Sequence, residues 1–418
     1  MARAFARELS RLMENKAQNE PEIRLQDGTT VILDGADYTR ENLDNKIFAA
    51  NKPDNEILAV ALYYKNKTES GQSVVLLTED MILTVKAQFF GVNARSVEIP
   101  HVRQLNESYT QLKDAEISDE EMSRFLELGF LQQPERFGVR PNQFVRFHSP
   151  TYPASDDTVG RYVFSRSADT PHKIVRLADY NETSPDLFGF GARNLEQRMF
   201  LDVLLDPNIS IVIGSAKAGT GKTFLSVLSA KKLLESDKFD RVLVSRPTVF
   251  MGRNDPGALP GGIDEKYSEW KQPYLDNIQA INKRGAQPGS KQLRLQARLP
   301  ERWEILPFEF MRGRSISDSL IIVDEFQNTN GHEAKTILTR IGENSKLILM
   351  GDVGQIDVPP TFLNKWNNGL ALSMAAFTNP SLSDEELSHV AVVELFEGVR
   401  SAAAELSSRA FDMATPNH

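Results

Sequence analysis

The chain has 418 residues, more than a single hydrophobic core usually serves, so two or three domains are expected. At 40% hydrophobic and 25% charged residues, with no apolar run long enough to cross a bilayer, a membrane-spanning role is not expected; with no cysteine, disulfide frameworks, cysteine nucleophiles and thiolate zinc sites are excluded together. The net charge of -9 means that any binding to nucleic acid has to come from a local basic surface, against the field of the whole protein.

The opening stretch MARAFARELSRLMENK interleaves Arg, Glu and Lys with Phe5, Leu9, Leu12 and Met13 at helical spacing, and forms no apolar signal-peptide core. It reads as a helix of a cytoplasmic protein. A short strand at Thr30 to Leu33 follows, then a helix from Asn55 to Tyr64, a strand from Val74 to Leu77 and a helix from Asp80 to Phe90 ending at Gly91. These elements predict an α/β unit over residues 1–103.

Residues 104–190 differ in character. Ser118 followed by Glu121 forms a capping box that starts a helix; Pro134, Pro141, Pro150, Pro153 and Pro171 then punctuate short stretches such as Gln143 to Phe147 and Gly160 to Phe164. A linker with a small β-rich subdomain is predicted. From 191 to 418 the chain predicts a parallel α/β domain. The runs Ile209 to Ile213, Arg241 to Ser245, Leu320 to Val323, Lys346 to Met350 and Val390 to Leu395 are β-branched without alternation, as strands buried on both faces are.

Directly after the first of these runs comes GSAKAGTGKT, Gly214 to Thr223, and then an amphipathic helix from Phe224 to Leu234. Strand, glycine-rich turn and helix N-terminus are the context that a P-loop requires. Backbone N–H groups around Ala218, Gly219, Thr220, Gly221 and Lys222 are placed to wrap a β-phosphate, Lys222 to reach the β- and γ-phosphates, and Thr223 to offer its hydroxyl to Mg2+. The first glycine of the pattern is replaced by Ala216. SLIIVDEFQN then puts Asp324 and Glu325 at the C-terminal end of an apolar strand, the edge where open α/β sheets bind ligands. Asp324 suits magnesium holding and Glu325 suits a general base for the attacking water. LILMGDVGQID ends a third strand similarly: Gln355, beyond Asp352, is placed to sense the γ-phosphate or the attacking water; without the neighbouring motifs it would read as a turn residue after Gly354.

GKT, SRPTVFMGRNDPGALPGGIDEKYSEWKQPYLDNI, FMRGRSISDSLIIVDEFQNT and LTRIGENSKLILMGDVGQID together resemble the ATPase domain of the PhoH-like family, over about Asn194 to Arg409. That resemblance implies a RecA-like fold, ATP hydrolysis with Mg2+, and assembly into a ring, a hexamer by family habit. NLEQRMFLDVLL resembles the adenine-reading segment of such ATPases, making Gln197 and Asn194 candidates for the base; an ordinary amphipathic helix accounts for the same pattern. LFEGVRSAAAEL resembles the motif whose arginine meets the γ-phosphate, here Arg400, and Arg340 in LTRIG is a candidate for the same part across a subunit interface or for a plain surface ion pair.

The N-terminal unit resembles the second half of a PIN-type ribonuclease domain, with Asp54 in NKPDNEILAVAL and Asp80 in VVLLTEDMILTVKAQFFGV. Such domains hold Mg2+ or Mn2+ with clustered carboxylates and activate water against a phosphodiester. The family's opening strand, with its first aspartate, and the helix bearing its glutamate do not precede ARAFARELSRL, and VILDG around Asp34 matches a later strand. An incomplete PIN-like domain with an open slot is expected, leaving two alternatives: a start further upstream, or a lost nuclease site.

Between Ile281 and Trp303, Lys283, Arg284, Lys291, Arg294, Arg298 and Arg302 stand against one acid, Glu301, with Trp303 beside them to stack on a base. A solvated positive loop has the same composition; the family context favours single-stranded RNA. The expected function is Mg2+-dependent ATP hydrolysis coupled to RNA binding, remodelling or unwinding, linked to a PIN ribonuclease. The competing reading is an ATP-dependent switch or scaffold indifferent to nucleic acid.

Overall fold

The computed structural model describes residues 22–24, 30–32, 53–67, 73–78, 81–95, 109–167, 169–181, 185–247, 268–285, 300–311, 313–358 and 363–398. The chain divides into two compact units, Met1–Val97 and Glu98–His418.

In the first unit, β1 (Glu22–Arg24) pairs antiparallel with β2 (Thr30–Ile32). Helix α1 (Pro53–Lys67) is followed by a βαβ unit of β3 (Val75–Leu77), α2 (Met81–Phe89) and β4 (Asn93–Arg95), with β3 and β4 parallel. Leu58, Ala59 and Leu62 of α1 pack against Leu83 and Ala87 of α2 and against Val92. Gly91 ends α2 at φ 69°, a left-handed backbone that a Cβ would strain. Asp54 lies in the first turn of α1 with its side chain outside the described residues, and Asp80 lies outside them altogether, as do the expected N-terminal helix and Asp34.

The second unit opens with a five-stranded sheet. β5 (Leu112–Glu116) leads into α3 (Asp119–Leu128), whose Ser118–Glu121 capping box is formed as the sequence predicts, and Gly129 at φ 76° turns the chain into β6 (Phe130–Gln132). β7 (Phe144–His148), β8 (Val159–Val163) and β9 (Lys173–Arg176) complete the order β5-β7-β8-β9-β6. Met122 and Phe125 of α3 pack on Val145, Phe147, Tyr162 and Ile174. Gly160 is required there, because a Cβ would sit 2.6 Å from Ile174 Cγ2 and 3.0 Å from the Phe125 ring.

Helix α4 (Leu195–Leu205) then leads into a six-stranded sheet. Its elements in chain order are β10 (Ile211–Ala216), α5 (Lys222–Glu235), β11 (Arg241–Ser245), α6 (Ser268–Gly285), β12 (Trp303–Ile305), β13 (Ser319–Val323), α7 (Gly331–Leu338), β14 (Lys346–Gly351), α8 (Gly369–Phe377), α9 (Asp384–Leu387) and β15 (Val390–Leu395). Every pairing in the order β12-β11-β13-β14-β10-β15 is parallel. Successive residues of each strand enter opposite cores: Val212, Ile322 and Ile348 pack with α4, α5 and α6, whereas Ile213, Ile321 and Leu349 pack with α7 and α8. Layers on both faces explain the missing polar alternation; this is the parallel α/β domain that the strand pattern predicts and the RecA-like fold that the family resemblance implies.

Two contacts fix the small sheet on the large one. Along the outer margin of β15, Tyr109 Oη donates to Val392 O at 2.8 Å, Gln111 accepts from Glu394 N at 2.7 Å and donates to Glu394 O at 2.8 Å, and Asn142 donates to Val390 O at 2.9 Å. Beneath the sheet, Arg161 of β8 reaches Asp202 (2.5 Å) and Asp206 (2.7 Å) of α4 and its C-cap, and buried Lys346 donates to Val203 O (2.9 Å) and Asp206 O (2.6 Å). Burial alone would raise the Asp206 carboxyl, but the Arg161 guanidinium, the Asn208 N–H and the Lys346 ammonium together outweigh it and hold the carboxyl below its usual range. Burial also brings the Lys346 ammonium down to about 7.

Candidate active site

The chain leaves β10 at Ala216 and turns through residues 217–221 into α5, whose first residue is Lys222. Gly219 and Gly221 take φ of 84° and 89°, so the tight turn needs glycine at both. Thr220 Oγ1 closes the turn on Lys217 O at 2.9 Å. From outside, Gln197 braces it: Nε2 donates to Thr220 O at 2.8 Å while Oε1 accepts from Arg193 N at 2.9 Å. Asn194 caps α4 by accepting from Gln197 N at 2.9 Å.

β14 lies between β10 and β13, so three strand ends meet beside this turn. Thr223 Oγ1, in the first turn of α5, donates to Asp324 Oδ2 at 3.0 Å. Asp324 is 8% exposed, and burial pushes its carboxyl up although the Lys222 ammonium pulls it down; the neighbouring Glu325 charge adds to the rise. A buried carboxylate with too little positive charge around it, next to a hydroxyl oxygen, fits a hard divalent cation. Tyr274 of α6 also points its hydroxyl at Asp324 Oδ2, at 3.4 Å. Among the described residues no three His, Cys, Asp or Glu side chains gather to cage a metal. The Thr223–Asp324 pair is instead of the kind that completes its shell with water and phosphate oxygens.

Glu325 has a left-handed backbone, φ 56° and ψ 37°, which is rare for a side chain of this size. Its Oε2 accepts from Gln327 Nε2 at 2.6 Å. Gln327, 0% exposed, also donates to Gln355 O at 2.7 Å and accepts from Asp352 N at 3.1 Å, so one amide joins the ends of β13 and β14. Gly351 has to be glycine to let it pass, since a Cβ would fall 2.1 Å from Gln327 Oε1. Asp352 accepts from Ala218 N at 3.2 Å and from Gly354 N at 2.9 Å, tying β14 to the phosphate loop. Gln355 follows with an exposed side chain. Neither the hub role of Gln327 nor the loop contact of Asp352 was expected from the sequence, although both residues lie within the motifs that were read.

Beside Gly219 and Gly221 opens a cavity of about 350 Å3, lined also by Phe190, Arg193, Gln197, Phe224 and Arg284. Arg284, expected on an RNA-binding segment, therefore faces this cavity from the end of α6. Lys283 beside it is exposed, and Lys291, Arg294 and Arg298 lie outside the described residues. Trp303 corrects an expectation: it is 6% exposed, because it points from β12 into the core shared with β11, α5 and α6 while Glu304 takes the exposed face, so no base can stack on it. Arg302 is likewise structural, donating to Asp240 O at 2.7 Å and Leu234 O at 3.2 Å. Arg340 follows α7 beside Ile316, at the sheet edge opposite the phosphate loop, with its Nε buried and without a partner. It is remote from the loop of its own chain. Arg400 lies outside the described residues.

Residues 190–411 match the family described as PhoH-like protein, and residues 1–98 match that described as PIN domain. Protein PhoH2 of Bacillus subtilis is 33% identical over 414 residues, covering 96% of this chain and 88% of that protein. Protein PhoH2 of Thermobispora bispora is 31% identical over 305 residues, 73% of this chain and 64% of its own length. Protein PhoH of Escherichia coli (strain K12) is 36% identical over 188 residues, 44% and 49% of the two chains. Among solved structures, one described as the structure of PRRSV helicase is similar at 10% identity and a TM-score of 0.21, over 57% of this chain and 39% of that one.

Proposed function

Because the chain belongs to the PhoH-like family and carries a PIN domain ahead of the region matched to it, we propose that it is a Mg2+-dependent ATPase whose turnover is coupled to binding and remodelling of single-stranded RNA, with the PIN domain as an associated ribonuclease. The observation that carries this reading is the 3.0 Å bond between Thr223 and Asp324, which joins the phosphate loop to the acidic strand end, with Glu325 held next to it by Gln327.

The chain's groups divide the work. Backbone amides of residues 218–222 and the Lys222 ammonium bind the phosphates; Thr223 and Asp324 would hold magnesium; Glu325 orients the attacking water and accepts its proton. Bound magnesium would offset the charge that grows on the phosphate oxygens. Arg400 in the same chain and Arg340 from a neighbouring copy are the arginines proposed for the γ-phosphate, and the position of Arg340 at the far edge of the sheet favours action between copies in a ring. Exposed Lys283, with Lys291, Arg294 and Arg298 following it in the sequence, is the support for RNA as the partner.

Release of inorganic phosphate from ATP, followed with and without Mg2+ and single-stranded RNA, tests the reading. RNA should raise the rate, and the effect should fade steeply with salt. Hydrolysis unmoved by RNA at low salt would favour the switch or scaffold instead, and no phosphate release with Mg2+ present would remove the ATPase itself.

A further inference from the structure

The segment LFGFGAR, residues 187–193, carries no catalytic group, yet it is pinned from several sides. The Lys231 ammonium of α5 lies 4.6 Å from the Phe188 ring, and Phe188 itself has a left-handed backbone at φ 57°. Gly191 is pressed so closely on the preceding segment that a Cβ would sit 2.0 Å from Asn181 O, and Ala192 N donates to Tyr180 O at 2.6 Å. This fastening presents Phe190 to the cavity beside the phosphate loop. Its ring meets Phe224 edge-on at 5.0 Å, and the Arg284 guanidinium lies over it at 4.6 Å. The result is a wall of planar groups from three separate parts of the chain: the segment itself, α5 and α6.

A nucleobase offers such a wall its π-face, which all bases share, whereas discrimination between bases comes from hydrogen bonds to their edges. Among the described residues that line the cavity, the one amide suited to reading an edge is Gln197. It is 3% exposed, with its oxygen bonded to Arg193 N and its nitrogen to Thr220 O. Its first task is therefore to hold the phosphate loop.

We propose that Arg284, backed by the Phe190 ring beneath it, stacks on the face of the base of a bound nucleoside triphosphate, so that Arg284 sets nucleotide affinity and the site accepts ATP and GTP with little discrimination. This rests on the ATPase reading, and names the substrate class of the same site. Arg284 is then a nucleotide-binding residue, and helix α6 spans the site, with Tyr274 at the Asp324 carboxylate and Arg284 at the base.

Calorimetric titration of the full chain in Mg2+ with ATP, GTP and inorganic tripolyphosphate, which has no base, tests it on wild type, Arg284→Ala and Phe190→Leu, the last keeping apolar bulk without a π-face. Wild type should bind ATP and GTP within about tenfold of one another, far from the ~10^4 selectivity of a site built on buried edge hydrogen bonds. Arg284→Ala and Phe190→Leu should each raise both dissociation constants about tenfold, the effect of losing one stacked group, and leave tripolyphosphate unchanged. An equal loss for tripolyphosphate in Arg284→Ala, no loss for any ligand in it, or a wild-type preference for ATP beyond about a hundredfold would each overturn the proposal while leaving the ATPase intact. Wild type that binds none of the three would overturn the ATPase reading, and this inference with it.

Discussion

Glu325 sits in a backbone conformation that costs a non-glycine residue roughly 1–2 kcal/mol, at the point where a strand ends and a carboxylate has to be aimed. Glu325→Gln keeps the hydrogen-bonding shape but removes the base, so ATP binding should persist while turnover falls about a hundredfold or more in a phosphate-release assay. Lys222→Ala should instead abolish tight ATP binding, measured by titration at saturating Mg2+. Gln327 is expected to behave differently from either. It touches no substrate, but Gln327→Ala frees the Glu325 carboxylate and leaves the buried Asp352 N–H unpaired, so kcat should fall about tenfold with KM for ATP little changed, and stability should drop by about 1–3 kcal/mol. An unchanged kcat in this variant would show that Glu325 is positioned by something else. Lys222, Thr223, Asp324 and Glu325 were legible in the sequence because each sits at a fixed offset from a strand end. The hub at Gln327 was not, because it exists only once β13 and β14 lie side by side.

At the scale of elements, α4 and β14 each run the depth of the large domain. α4 starts at the brace of the phosphate loop and ends over Lys346, where β14 begins; β14 leads directly into Asp352, back on the loop. Lys346 knots them at the far end, and this gives a pH signature. Its pKa of about 7 lies below the 10.5 of a free lysine, so between these values the unfolded chain binds a proton that the native one does not, and stability rises with pH. The wild-type unfolding free energy should climb from pH 7 towards pH 10 by at most about 1.4 kcal/mol per pH unit, with the melting temperature rising alongside, and Lys346→Met should flatten both. A slope identical in the two proteins would place the titration elsewhere. The long strands of this domain were readable because both faces are covered. Helix α6 was not, since Pro273 within it reads as a break, and a three-residue strand such as β12 shows no period at all.

For the whole molecule, the small β-rich region could be anticipated between the two α/β regions, but not its attachment, since Tyr109, Gln111 and Asn142 carry no local pattern that points to a strand more than two hundred residues away. Gln111→Leu leaves the amide and carbonyl of Glu394 without partners, so stability should fall by about 1–3 kcal/mol and the Glu394 amide should exchange with solvent faster, as seen by hydrogen-exchange mass spectrometry over β15. Unaltered exchange there would mean that water replaces the side chain at no cost.

The same three side chains carry a consequence for assembly. With the carbonyls of Val390 and Val392 and both main-chain groups of Glu394 already bonded from outside, that border of the sheet cannot be lengthened by a strand from another copy. Copies gathering on that flank would have to join through helices and loops, and a joint of that kind can slip and reseat without unzipping a single main-chain ladder.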